Sequence, residues 1–117
     1  MKKQYTLNQL KDDMFRLAYC PDRLLWPRDY IPVAIVEIET TGDVEWDLEE
    51  VFRLTNSIDF YWGDSAQVVW KSSSKPGFRS TSVGDVIIVD RETVYRCAPC
   101  GFEKINLGPD FKETKNG

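Results

Sequence analysis

The sequence predicts an α+β domain: a small, mostly antiparallel β-sheet with two helices packed on it. Three observations carry this. The chain has 117 residues with 42% apolar and 13% aromatic content, enough to build the core of one compact domain. Strand-length apolar runs stand at 31–40 and 85–90, bounded by turn residues. Apolar residues recur at helical spacing over 7–19 and 47–57.

In chain order, Thr6-Leu7-Asn8-Gln9 has the form of a capping box, and Leu7, Leu10, Met14, Leu17 and Ala18 form the stripe behind it. This predicts a helix from Leu7 to Tyr19, stopped by Cys20-Pro21. Pro21 to Pro32 reads as an ordered connector that lays Trp26 and Tyr30 over the rest of the domain. Ile31 to Thr40 is a strand with Ala34, Val36 and Ile38 on one face and Glu37 and Glu39 on the other. A second helix follows over Asp47 to Ser57, with Leu48, Val51, Phe52 and Thr55 inward and Asp47, Glu49 and Glu50 in the first turn. Ile58 to Trp62 is aromatic and should pack. Ala66 to Lys71 reads as a strand and Ser72 to Gly84 as a polar loop. Asp85 to Asp90 reads as a central strand, joined through a hairpin to Val94–Ala98, with a last short strand at Phe102–Ile105. The chain is expected to be one domain: residues 1–30 as helix and connector, 31–106 as core, and a frayed tail over 107–117.

No apolar run approaches the roughly 20 residues needed to cross a bilayer, and the basic start leads into a polar stretch rather than a secretory signal. The expectation is a protein of the cytoplasm with no membrane contact. There is no histidine, which removes the Ser-His-Asp and Cys-His nucleophiles and histidine metal sites. The net charge of −4 is uneven: Asp29 to Glu50 holds eight acids and no Lys or Arg, and the rest of the chain holds 15 basic against 11 acidic residues. Such a segment repels a polyanion and steers a basic protein surface.

Cys97-Ala98-Pro99-Cys100 has the spacing of a redox or zinc-binding pair. No helix pattern follows it, and with Cys20 the only other thiol a zinc site would need carboxylates or a second chain. The hydroxyl-rich loop places Lys71, Lys75 and Arg79 where they suit a phosphate or a nucleic-acid backbone; alternatively, Arg79 bonds the loop's own carbonyls. Asp85 reads as a cap or turn residue, and none of the carboxylates reads as buried. No dinucleotide fingerprint or Walker loop is present, so the reading is non-enzymatic, without cofactor or metal. Trp26, Tyr30 and Trp62, lying near the acidic segment, are candidate anchors of a protein interface.

Two further segments carry a resemblance. Leu48-Glu49-Glu50-Val51-Phe52-Arg53-Leu54-Thr55-Asn56-Ser57-Ile58-Asp59 precedes Trp62, and Arg79-Ser80-Thr81-Ser82-Val83-Gly84-Asp85-Val86-Ile87 precedes Tyr95 and Gly101-Phe102. This order resembles the YodL-like small proteins of phages, plasmids and other bacterial mobile elements, over residues 31–106. The resemblance implies a mobile-element accessory setting and transfers no catalytic residue. The R-S-T-S-V-G-D string is either an architectural turn, with Gly84 in a conformation other residues resist, or a binding loop.

The expected function is therefore a non-catalytic accessory protein that binds and modulates, above all inhibits, a host protein with a basic surface, such as a nucleic-acid enzyme or a defence component. Glu37, Glu39, Asp43, Glu45, Glu49 and Glu50 would steer it, with Trp26, Tyr30 and Trp62 as anchors. Two alternatives stand beside this: a nucleic-acid-binding module using the basic loop 71–81, and a thiol-redox or zinc protein built on Cys97 and Cys100.

Overall fold

In the computed structural model, which describes residues 1–56, 61–75 and 77–105, the domain is α+β as expected. Six strands run β1 (Lys2–Leu10), β2 (Tyr30–Glu39), β3 (Val68–Lys71), β4 (Val86–Asp90), β5 (Thr93–Cys97) and β6 (Phe102–Lys104). They form one antiparallel sheet in the order β3-β2-β1-β4-β5-β6. One α-helix, α1 (Val44–Thr55), and a six-residue 3-10 helix (Asp12–Leu17) pack on it from opposite sides.

The expected helix over Leu7–Tyr19 is overturned. Its first part is β1, a central strand paired to β2 through Leu7↔Ala34 and to β4 through Leu7↔Ile87. Tyr5 and Leu7 face one side of the sheet and Leu10 the other, the period-2 pattern of a strand buried on both faces. Only Asp12–Leu17 is helical, and as a 3-10 helix. Hydrogen bonding on both edges of a central strand outweighs a local helical spacing that rests on Leu7, Leu10, Met14, Leu17 and Ala18.

The remaining strands and α1 match the expectation closely. Arg91-Glu92 form the hairpin turn between β4 and β5. α1 starts earlier than Asp47, because Asp43 is its N-cap and accepts from the Glu45 and Trp46 amides at 3.0 and 3.4 Å. The first turn therefore holds Glu45 and Asp47.

The core has two parts, one on each face of the sheet. Leu48 and Val51 of α1 pack with Tyr5, Leu7, Val36, Ile38 and Ile87, joined by Trp62 and Phe78 from the β3 connections. On the other face Leu10, Val86 and Val94 are covered by Leu17, Ala18, Leu24 and Tyr30. Residues 11–29 thus dock on the sheet and close its second face. The expected aromatic segment Ile58–Trp62 falls partly outside the described residues, though Trp62 is fully buried. The tail over 107–117 also lies outside them.

The R-S-T-S-V-G-D segment is an architectural turn. Arg79 makes a two-pronged ion pair with Asp85 at 2.6 and 2.8 Å and donates to the Ser80 carbonyl at 3.1 Å. Asp85, with no exposed surface, also accepts from the amides of Leu10 and Ser82 at 3.0 and 2.9 Å. Gly84 has φ +95°, and a Cβ there would lie 2.8–2.9 Å from Leu10 and from the Ala18 backbone. The loop is thereby bolted to β1, the 3-10 helix and the start of β4.

Candidate functional site

α1 presents two faces with opposite chemistry. Leu48, Val51 and Thr55 lie inward with Asp47, while Glu45, Trp46 and Glu49 are exposed and Glu50 is half-buried. Trp46 is 57% exposed, an unusual position for the largest side chain. Asp43 lies at the helix start and spends one carboxylate oxygen on the cap. Glu50 pairs with Arg53 one turn on. Among the described residues, Glu45 and Glu49 form no ion pair or hydrogen bond through their side chains. The outer face therefore carries four carboxylates, one guanidinium and an exposed indole.

The acid between these, Asp47, is committed to the fold. Its carboxylate accepts from the Tyr5 hydroxyl at 2.5 Å, the Thr40 hydroxyl at 2.5 Å and the Thr41 amide at 3.2 Å. Burial alone would push this carboxyl up, but the hydrogen bonds from Thr40, Tyr5 and Thr41 outweigh it and hold the group below the usual carboxylate range. Burial, reinforced by the bond to Asp47, holds the Tyr5 phenol well above its usual value, so it stays a donor. Asp29 is likewise buried, with Arg28 and the Leu25 amide holding its carboxyl low. The expectation that no carboxylate is buried is thus corrected at Asp29, Asp47 and Asp85.

The acidic segment does not form one patch. Since Val36 and Ile38 face α1, Glu37 and Glu39 point to the opposite side of the sheet. There Glu37 accepts from Gln4 at 3.1 Å and lies 4.0 Å from the Lys2 ammonium. Glu39 pairs with the Met1 amino group at 2.9 Å. The structure brings together Asp43, Glu45, Glu49 and Glu50, and separates them from Glu37 and Glu39.

The expected aromatic anchors need correction as well. Trp62 is 1% exposed and donates its indole N–H to the Arg79 carbonyl at 2.9 Å, which makes it a core residue. Tyr30 is 6% exposed in the second core, and Trp26 is tilted against it at 5.3 Å between ring centroids. Trp26 is half-buried, with an enclosed indole N–H that has no partner among the described residues. Both lie on the face of the sheet opposite α1. Trp46 is the exposed ring beside the acids, and the sequence held the signal for it: with Asp43 as N-cap, Trp46 falls on the side opposite Leu48, Val51 and Thr55.

The candidate anion-binding cations are all engaged by acids of the fold. Lys75 pairs with Asp12 at 3.1 Å and Lys71 with Asp64 at 3.6 Å. Arg79 is held by Asp85 and stacks over the Phe15 ring at 4.2 Å. Of the two cysteines, Cys97 is buried at the end of β5 and Cys100 is exposed in the turn to β6. Burial, with Asp85 nearby, pushes the Cys97 thiol up to about 12, the reverse of what an exchange-active thiol needs. Among the described residues no cluster of three or more Cys, Asp or Glu side chains is placed to hold a metal ion.

No family model, curated protein sequence or solved structure matches this chain. Among the described residues, no helix is long and apolar enough to cross a membrane.

Proposed function

We propose that this chain is a non-catalytic accessory protein of a bacterial mobile element that binds a host protein through a basic surface on that partner and inhibits it. The observation that carries the reading is the outer face of α1, where Glu45 and Glu49 flank the exposed Trp46 and form no ion pair among the described residues. Unpaired carboxylates steer a basic partner, and an exposed indole supplies the apolar anchor that a salt-sensitive encounter needs to become a stable contact. The resemblance of residues 31–106 to YodL-like proteins supports the mobile-element setting and a place in the bacterial cytoplasm. The basic loop makes a weaker case for nucleic acid, because each of its cations already faces a carboxylate.

The test is capture of partners from host lysate on the immobilised protein, identified by mass spectrometry, at rising salt and with the Glu45/Glu49→Lys double variant. The reading expects a basic partner whose retention falls as screening shortens the reach of charge and is lost with the double variant. Retention indifferent to both salt and charge reversal would sink it.

A further inference from the structure

Beside the outer face of α1 lies a groove of about 290 Å³ between that helix and the β5–β6 turn. Its walls are Phe52 of α1, Val83 of the loop before β4, Ala98 and Pro99 of the turn, and Phe102 of β6, with Glu49 at the rim. Phe52 and Phe102 meet edge to face, 6.4 Å between centroids at 74°, so the wall presents aromatic surface. Cys97 also borders the groove, and its neutral thiol adds no charge there.

Resting on the reading of α1's outer face as the partner-binding surface, we infer that this groove receives an arginine side chain of the basic partner. The volume lies at or below the lower end of pockets that enclose drug-sized ligands, about 300–1,000 Å³, and suits one long side chain of a protein. The apolar wall matches the aliphatic stem of such a side chain, which buries its methylenes while its head stays at the rim. Glu49, exposed and unpaired among the described residues, faces that head with two carboxylate oxygens. A planar guanidinium answers both features: it binds a carboxylate through two parallel N–H bonds and packs flat against aromatic rings, and its weak hydration makes leaving water cheaper than for an ammonium. Glu45, one turn before Glu49 on the helix and unpaired among the described residues, adds negative charge on the same side and disfavours an anionic side chain.

The experiment uses the full chain and two six-residue probes of equal charge, hexa-arginine and hexa-lysine, titrated by calorimetry at low ionic strength. Both bind the acidic face, and hexa-arginine binds about five- to tenfold tighter through the groove, a difference of about 1 kcal/mol. Ala98→Phe fills the groove without touching a charge; it brings hexa-arginine down to the hexa-lysine affinity and leaves hexa-lysine unchanged. Val83→Phe fills it from the opposite wall and does the same, which covers the case in which one variant misfolds. Equal binding of the two probes to the wild type, or an arginine preference that survives both fillings, overturns the groove while the acidic face stands. Failure of both probes to bind overturns the acidic face and the groove with it.

Discussion

Asp47 and Glu49 lie two residues apart on α1 and live in different surroundings. Asp47 is closed off from water and takes hydrogen bonds from Tyr5 and Thr40 at 2.5 Å each, so its charge ties β1, the β2–α1 turn and the helix together. Glu49 is exposed and unpaired among the described residues. The same contrast separates Arg79, locked to Asp85 inside the basic loop, from Glu45 and Glu49 on α1's outer face, which form no ion pair among the described residues. A charged group satisfied within its own fold has little left to offer a partner. One left unsatisfied in water costs the fold almost nothing and remains available. The contrast divides the charged residues into those that hold the domain together and those free to meet something else.

The largest effect that could break this division is at Asp85. Asp85→Ala leaves Arg79 without its partner and the Leu10 and Ser82 amides without an acceptor, and removal of one member of a buried ion pair costs about 3–5 kcal/mol. Urea unfolding should show that loss; a cost below about 1 kcal/mol, the ceiling typical of exposed pairs, would mean that the pair behaves as a surface contact.

Next in size is Asp47. Asp47→Asn should cost about 1–3 kcal/mol near neutral pH, as donors aimed at a carboxylate lose their charged acceptor. Because the folded state holds this carboxyl below its usual value, its contribution is present above the unfolded pKa of about 3.9 and is lost as pH falls through the folded value. The stability gap between wild type and Asp47→Asn should therefore narrow in acid. A gap that widens there would contradict the assignment.

At the small end stands the outer face. Glu45→Gln and Glu49→Gln should each change stability by less than about 0.5 kcal/mol, since neither carboxylate forms an ion pair among the described residues. A larger loss in the unfolding midpoint would move these acids into the structural class.

Much of this arrangement was legible in the residues. Val86-Ile87-Ile88-Val89 announced a buried strand, and Asp90-Arg91-Glu92-Thr93 the hairpin beside it. Leu48, Val51 and Thr55 announced the inner face of α1. β1 was not legible, because Leu7, Leu10, Met14 and Leu17 fit helical spacing, and what makes residues 2–10 a strand is pairing to β2 and β4 from far along the chain. The alternation Tyr5, Leu7 against Thr6, Asn8 was present but weak.

The site was legible only in part, for a related reason. A run of acids in sequence says nothing about which side of a sheet each one reaches, and β2 turns Glu37 and Glu39 away from Glu45 and Glu49. Tyr30 and Trp62 proved to be core, whereas Trp46, between Glu45 and Asp47, is exposed. Trp46 joins the outer face only because α1 starts at Val44, ahead of the acids Asp47, Glu49 and Glu50 that mark a helix start in the sequence.

The most direct test of the central claim is a map of backbone amide shifts by NMR while hexa-lysine is added at low ionic strength. The account predicts shifts concentrated at Asp43, Glu45, Trp46, Glu49 and Glu50, with the Glu37 and Glu39 side of β2 unmoved and the shifts abolished by Glu45/Glu49→Lys. Shifts centred on Glu37 and Glu39, or spread evenly over every exposed acid, would contradict it.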